Sequence, residues 1–159
     1  MSYAITIDLC KDYDEMIRVW MGNRGIRTES NGLDLWYEFF NLQKKTILPK
    51  KRKVFYSKEF VCPQGVEKGL RLLTQKFESG DDVSMHLSKD ANTPSKFDEL
   101  LYDWGIFHFH LGEVVDEKTG LIKRTGPLLF AKIDEKMFIT LTYTHMANKF
   151  RNLGLNKKC

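Results

Sequence analysis

Long apolar runs are missing from this sequence: no stretch approaches the roughly 20 residues of a membrane-spanning helix. The opening Met1-Ser2-Tyr3-Ala4-Ile5-Thr6-Ile7-Asp8 has neither the basic start nor the apolar core of a secretory signal. A soluble, cytoplasmic protein with no membrane partner is therefore expected. Cysteine is scarce. Cys10, Cys62 and Cys159 are odd in number, far apart and without a CxxC pair, so a reducing compartment fits better than a disulfide framework. No glycine-rich phosphate loop is present, since Gly22, Gly25 and Gly32 fit neither GxGxxG nor a Walker pattern. There is no GxSxG elbow, no HExxH and no clustered aspartate motif. Nucleotide-fuelled chemistry and serine hydrolysis are disfavoured, and no cofactor is expected.

What is present suits one folded domain over 1–159. A hydrophobic share of 42% with 13% aromatics is enough for a core, and 29% charged residues suit a solvated surface. A net charge of +4 permits an acidic partner such as RNA without demanding one.

Periodicity divides the chain into a mainly helical part, 1–104, an antiparallel meander, 105–145, and a basic tail, 146–159. A strand is expected at 4–9 and a helix at 12–21, with Met16, Val19 and Trp20 on one face. A second helix, 33–45, carries Leu35, Trp36, Phe39, Phe40 and Gln43 as its stripe. A strand follows at 54–61. Pro63 opens a third helix that Gly80 ends, and a short strand is expected at 83–87. A fourth helix starts at a Thr93 or Ser95 cap and ends at Gly105, with Phe97, Leu100, Leu101 and Trp104 spaced along one face. Strands at 106–111, 128–133 and 137–144 complete the meander. The fold class is α+β, an N-terminal helical portion packed on a C-terminal antiparallel sheet.

The chemistry concentrates on the first meander strand. Side chains alternate, so Phe107, Phe109 and Leu111 take one face and His108 and His110 the other. The economical packing buries Phe107, Phe109, Leu111, Ile139 and Leu141, and leaves His108, His110, Thr140, Thr142 and Lys132 together, with Lys123-Arg124-Thr125 nearby. Such a face suits metal-independent cleavage of RNA. Two histidines can serve as base for the 2′-hydroxyl and acid for the 5′-oxygen, and Arg124 or Lys132 can meet the phosphorane charge. Thr140 or Thr142 would orient the phosphate. The plainer alternatives are a half-exposed polar strand face and threonines chosen for β-propensity. A zinc reading takes His108 and His110 as ligands, completed by His145 or Glu113. The basic run Lys50-Lys51-Arg52-Lys53 has the form of an import signal, but reads better as a solvated turn or, with Arg24, Arg27, Lys44 and Lys45, as a phosphate-neutralising surface; Lys123 and Lys132 are further candidates for nucleic-acid binding. Phe55 and Tyr56 beside it could stack on bases.

The segment from Leu100 to Gly112, with Asp103-Trp104-Gly105-Ile106-Phe107-His108-Phe109-His110 at its centre, and Arg124 to Ala131 after it, resembles little-characterised bacterial proteins. The layout over 97–145 is similar to RelE-like and barnase- and EndoU-like ribonucleases, many of them toxin or phage-defence components. That resemblance implies an endoribonuclease with His108, His110, Arg124 and Thr140 or Thr142 at its site, RNA as substrate and a protein antitoxin as partner. A non-catalytic nucleic-acid- or protein-binding module is the alternative, and a metal-dependent hydrolase with histidine ligands the second.

Overall fold

The computed structural model describes residues 7–58, 60–134 and 137–142, the last six by their backbone. Most of the strand expected at 4–9, the end of the last strand at 143–144, His145 and the tail lie outside the described residues. The chain divides into two compact units: Met1–Thr46 with Asp90–Phe97, and Ile47–Lys89 with Asp98–Cys159. No helix among the described residues is long and apolar enough to cross a membrane.

The first unit is built on two helices, α1 (Leu9–Gly22) and α2 (Gly32–Lys45). The Asp8 carboxylate accepts the Lys11 N–H at 3.1 Å and caps α1, so Leu9 opens a helix and does not end a strand. Ile17 and Met21 pack with Leu35, Phe39 and Leu42, and Tyr13, Trp20, Ile26 and Trp36 close around them. The buried stripe of α1 thus runs Tyr13, Ile17, Trp20, Met21, one step round from the expected one, and Met16 and Val19 are exposed. Aromatic pairing selects this face: Tyr13 meets Trp36, and Trp20 meets Phe39, each edge-on at 5.1 Å.

Two polar side chains of α2 are buried, Asn41 and Lys45. Lys45 Nζ donates to the carbonyls of Thr93, Lys96 and Asp90 at 2.7, 2.9 and 3.3 Å. Asn41 Nδ2 donates to Pro94 and Lys96. The Thr93, Pro94 and Lys96 carbonyls would be acceptors in the first turn of a helix capped by Thr93, and the Lys96 carbonyl in one capped by Ser95. The segment stays irregular, and α4 (Glu99–Trp104) begins later, capped by Asp98, whose Oδ1 accepts the Leu101 N–H at 3.1 Å.

The second unit holds a four-stranded sheet in the order β1-β4-β3-β2, from β1 (Lys53–Tyr56), β2 (Ile106–His110), β3 (Leu128–Ile133) and β4 (Met137–Thr142). The meander β2-β3-β4 is antiparallel, as expected. The sheet as a whole is mixed, because β1 adds to β4 in parallel. β1 is shorter than expected because the chain turns after it, Phe60 N–H bonding the Ser57 carbonyl. α3 (Glu67–Ser79) starts past Pro63 because Gly65 takes a left-handed φ of 85° that a helix cannot hold. The strand expected at 83–87 is a single 3-10 turn, Ser84–His86, nucleated by the Asp82 carboxylate on Ser84 N–H and Oγ. One sheet face is sealed: Phe109, Leu129 and Ala131 are buried, with Phe77 of α3 edge-on to Phe109 at 5.6 Å. The fold is α+β.

Candidate functional site

Register decides which residues of neighbouring strands share a face. His108 pairs with Phe130 and His110 with Leu128. Phe130 in turn pairs with Leu141, and Lys132 with Ile139. Thr140 and Thr142 pair with Ala131 and Leu129, the positions of the sealed face. The grouping expected from sequence is corrected here: the register positions of Ile139 and Leu141 belong with the histidines, and those of Thr140 and Thr142 do not.

His108 and His110 are two residues apart on β2, so their Cα atoms are about 6.6 Å apart along the strand and their side chains take the same face. They differ in surroundings. His108 is half-buried, its Nδ1 3.6 Å from Asp98 Oδ2. His110 is 9% exposed, and its Nδ1 has no hydrogen-bond partner among the described residues. Burial, then the charge of Arg124, then His108 and His86, hold its pKa below the ordinary imidazole value. His110 is therefore neutral at neutral pH. A buried ring nitrogen without a partner costs about 1–3 kcal/mol, and such groups in a folded chain ask for an explanation.

Three devices hold Arg124 near this ring. Gly112 lets the chain return closely: a Cβ there would lie 2.1 Å from the Lys123 carbonyl oxygen. Ile122 N–H bonds the Met85 carbonyl at 2.8 Å and Lys123 N–H the Val114 carbonyl at 2.8 Å. Thr125 Oγ1 accepts the Leu111 N–H at 3.3 Å and donates to the Pro127 carbonyl at 2.9 Å. Arg124 and Lys123 themselves are exposed.

Two participants are not evident from the sequence. Asp98 has only a helix-cap signature, yet its second oxygen faces His108. His86, fully buried, donates from Nδ1 to the His110 carbonyl at 2.9 Å and so supports the strand from behind. Burial lowers the His86 pKa, opposed by that backbone bond and assisted by Lys76.

Both depressed histidines make stability depend on pH. Their unfolded value is 6.5 and their folded values lie lower, so below that pH the unfolded chain binds more protons. Their contribution is complete above about pH 6.5 and is lost as pH falls through the folded values, at no more than about 1.4 kcal/mol per pH unit for each. Urea midpoints measured from pH 7.5 down to 5 should fall, and His86→Gln should flatten part of the slope. A flat profile would contradict the burial of neutral rings.

The basic run is spread by function. Lys50, Lys51 and Lys53 are exposed. Arg52 is committed to the backbone: its guanidinium donates to the Leu48, Lys50 and Asp134 carbonyls and its N–H to Phe77. Lys132 is exposed on the histidine face of β3. Among the described residues no three His, Cys, Asp or Glu side chains come together to hold a metal, so Glu113 does not complete a site with His108 and His110. Cys62 is no better placed as a nucleophile, since burial, with Glu67, pushes its thiol up.

No family model matches the chain, and no curated protein or solved structure is detectably similar to it. The arrangement of His108, His110, Asp98 and Arg124 must speak through its own chemistry. It offers a neutral buried imidazole, a second imidazole beside a carboxylate, and a guanidinium at the edge of a half-open face.

Proposed function

We propose that the chain is a metal-independent endoribonuclease. The observation that carries this reading is His110: a neutral ring on the same strand face as His108, beside the charge of Arg124. A neutral imidazole is the form a general base needs. His110 takes the proton of a ribose 2′-hydroxyl as that oxygen bonds the adjacent phosphorus. The P–O5′ bond breaks, and His108 gives its proton to the departing oxygen. Arg124 meets the charge on the pentacoordinate phosphorus. The products are a 2′,3′-cyclic phosphate and a 5′-hydroxyl. Asp98 is a positioning residue whose carboxylate lies 3.6 Å from His108 Nδ1 and leaves Nε2 as the nitrogen for the leaving group. A toxin-like or phage-defence setting, with a protein antitoxin as partner, follows from the resemblance of 97–145 alone.

The test is direct. The purified chain is incubated with mixed RNA with and without EDTA, and the product ends are analysed. Cleavage unaffected by EDTA, leaving cyclic phosphate ends, is expected. Cleavage that EDTA abolishes would replace this reading with a metal enzyme. RNA that is shifted in a salt-sensitive way yet stays intact would leave only a binding module.

A further inference from the structure

The strand register brings more than the histidines to the open face of the sheet. Phe55 pairs with Ile139, Ile139 with Lys132, and Lys132 with Ile106, which makes one transverse row from β1 to β2. The next row is Leu141, Phe130 and His108. Lys53 lies on the same face, two residues before Phe55. With strands about 4.8 Å apart, the row from Phe55 to β2 spans roughly 14 Å. Phe55 is 46% exposed, Lys53 and Lys132 are exposed, and Phe130 and His108 are half-buried, their rings 6.5 Å apart. Among the described positions of β1, β2 and β3 on this face, Lys53 and Lys132 are the only residues other than histidine that carry charge, and both are positive. The opposite face packs Phe109, Leu129 and Ala131 against Phe77 and the core, and on the histidine face exposure is greatest at Phe55, Lys53 and Lys132, while Ile106 at the β2 end is buried.

Exposed aromatic rings set among cations on a sheet face provide a platform for unstacked bases, with lysines for the phosphates between them. A duplex hides its base faces and cannot use such a ring. We propose that single-stranded RNA lies across this face, with a base stacked on Phe55, its backbone passing Lys53 and Lys132, and the scissile phosphate delivered past Phe130 to His108 and His110. This rests on the ribonuclease reading and specifies its substrate as single-stranded. The wide separation of Phe55 from the histidines makes it a subsite for a nucleotide remote from the cut.

The test uses the full chain with His108→Ala/His110→Ala, so that RNA stays intact, and fluorescence anisotropy of a fluorescein-labelled mixed-sequence oligoribonucleotide, single-stranded or annealed to its complement. The single strand is expected to bind at least about tenfold more tightly than the duplex. Phe55→Ala should weaken it by roughly 5- to 100-fold. Phe55→Leu, which keeps the apolar bulk and the fold but not the ring face, should weaken it in the same direction. Lys132→Gln should reduce the slope of log affinity against log salt by about 0.7. Equal affinity for duplex and single strand, or no change with Phe55→Leu and Lys132→Gln, would overturn the track. Self-association of the chain that Phe55→Leu abolishes, without RNA binding, would give the face to a second copy and also overturn it. The two readings fail separately. If the unmodified chain cuts RNA while these substitutions leave affinity unchanged, the ribonuclease stands and the track falls. If RNA binds as described and is never cut, the track stands as a binding face and the catalysis falls.

Discussion

Gly69→Ala is expected to destabilise the sheet-bearing unit by about 3 kcal/mol or more, against the helix propensity of the change. Gly69 lies inside α3, where alanine is ordinarily the better residue by about 1 kcal/mol. Here a Cβ would sit 1.7 Å from the carbonyl oxygen of Leu111, 2.5 Å from its carbon and 3.2 Å from its Cα. All three are backbone atoms at the end of β2, so no side chain can swing aside. The helix must lift away from the strand, and Phe77 leaves Phe109 with it. Overpacking of a well-filled core costs about 1–3 kcal/mol, and more where backbone blocks relaxation. The clash therefore wins. Gly22→Ala supplies the control: it also lies in a helix, with nothing among the described residues within 4 Å of its added methyl, and should be neutral or stabilising by up to about 1 kcal/mol. Urea unfolding of both variants decides the matter. Equal midpoints would mean that α3 and β2 are not held at this distance.

Leu111 also follows His110, so this contact bears on the site. The same displacement would disturb the Leu111 N–H bond to Thr125 and the His110 carbonyl bond to His86. Loss of RNA cleavage should accompany loss of stability in Gly69→Ala and not in Gly22→Ala.

The elements that the sequence made legible are those whose signal is local. The run at 128–133 is a short apolar stretch after turn residues and is a strand over Leu128–Ile133. Gly80 and Gly105 end helices in left-handed conformations, as their positions after apolar periodicity imply. What was not legible is tertiary. Lys53 pairs with Met137 in parallel, a partner far along the chain with no turn between to announce it. Alternation tells which residues share a face within one strand, yet a one-residue change in register exchanges the faces of its neighbour. That is why alternation alone groups Thr140 and Thr142 with the histidines, although their partners are Ala131 and Leu129. The helix expected from Thr93 was lost to Lys45 and Asn41, whose donors take the carbonyls that its first turn required. At the site, the His-x-His pair and Arg124 were visible as residue types in a pattern. Asp98 and His86 were not, because each acts through a contact that only the folded chain makes.

Asp98 also permits the sharpest test of the acid–base assignment. Its Oδ1 caps α4 while its Oδ2 faces His108. Asparagine caps a helix about as well as aspartate, so Asp98→Asn removes the charge beside His108 and leaves the fold in place. His110→Ala is expected to lower kcat for RNA cleavage by roughly 10²–10⁴, the span of one general base. Asp98→Asn should lower it by only about tenfold, because a 3.6 Å separation orients the ring more weakly than a short charged hydrogen bond would. Stability should stay level in Asp98→Asn and fall by about 1 kcal/mol in Asp98→Ala, which loses the cap. The pH profile then separates the roles. Cleavage falls on the acid side as His110 gains a proton, at a pH below the ordinary imidazole value because burial and Arg124 disfavour the cation. Arg124→Gln removes that charge and should move the acid limb upward, towards the ordinary value, whereas Asp98→Asn should leave it where it is. An acid limb that Arg124→Gln does not move would take the base away from His110, however large the loss of rate.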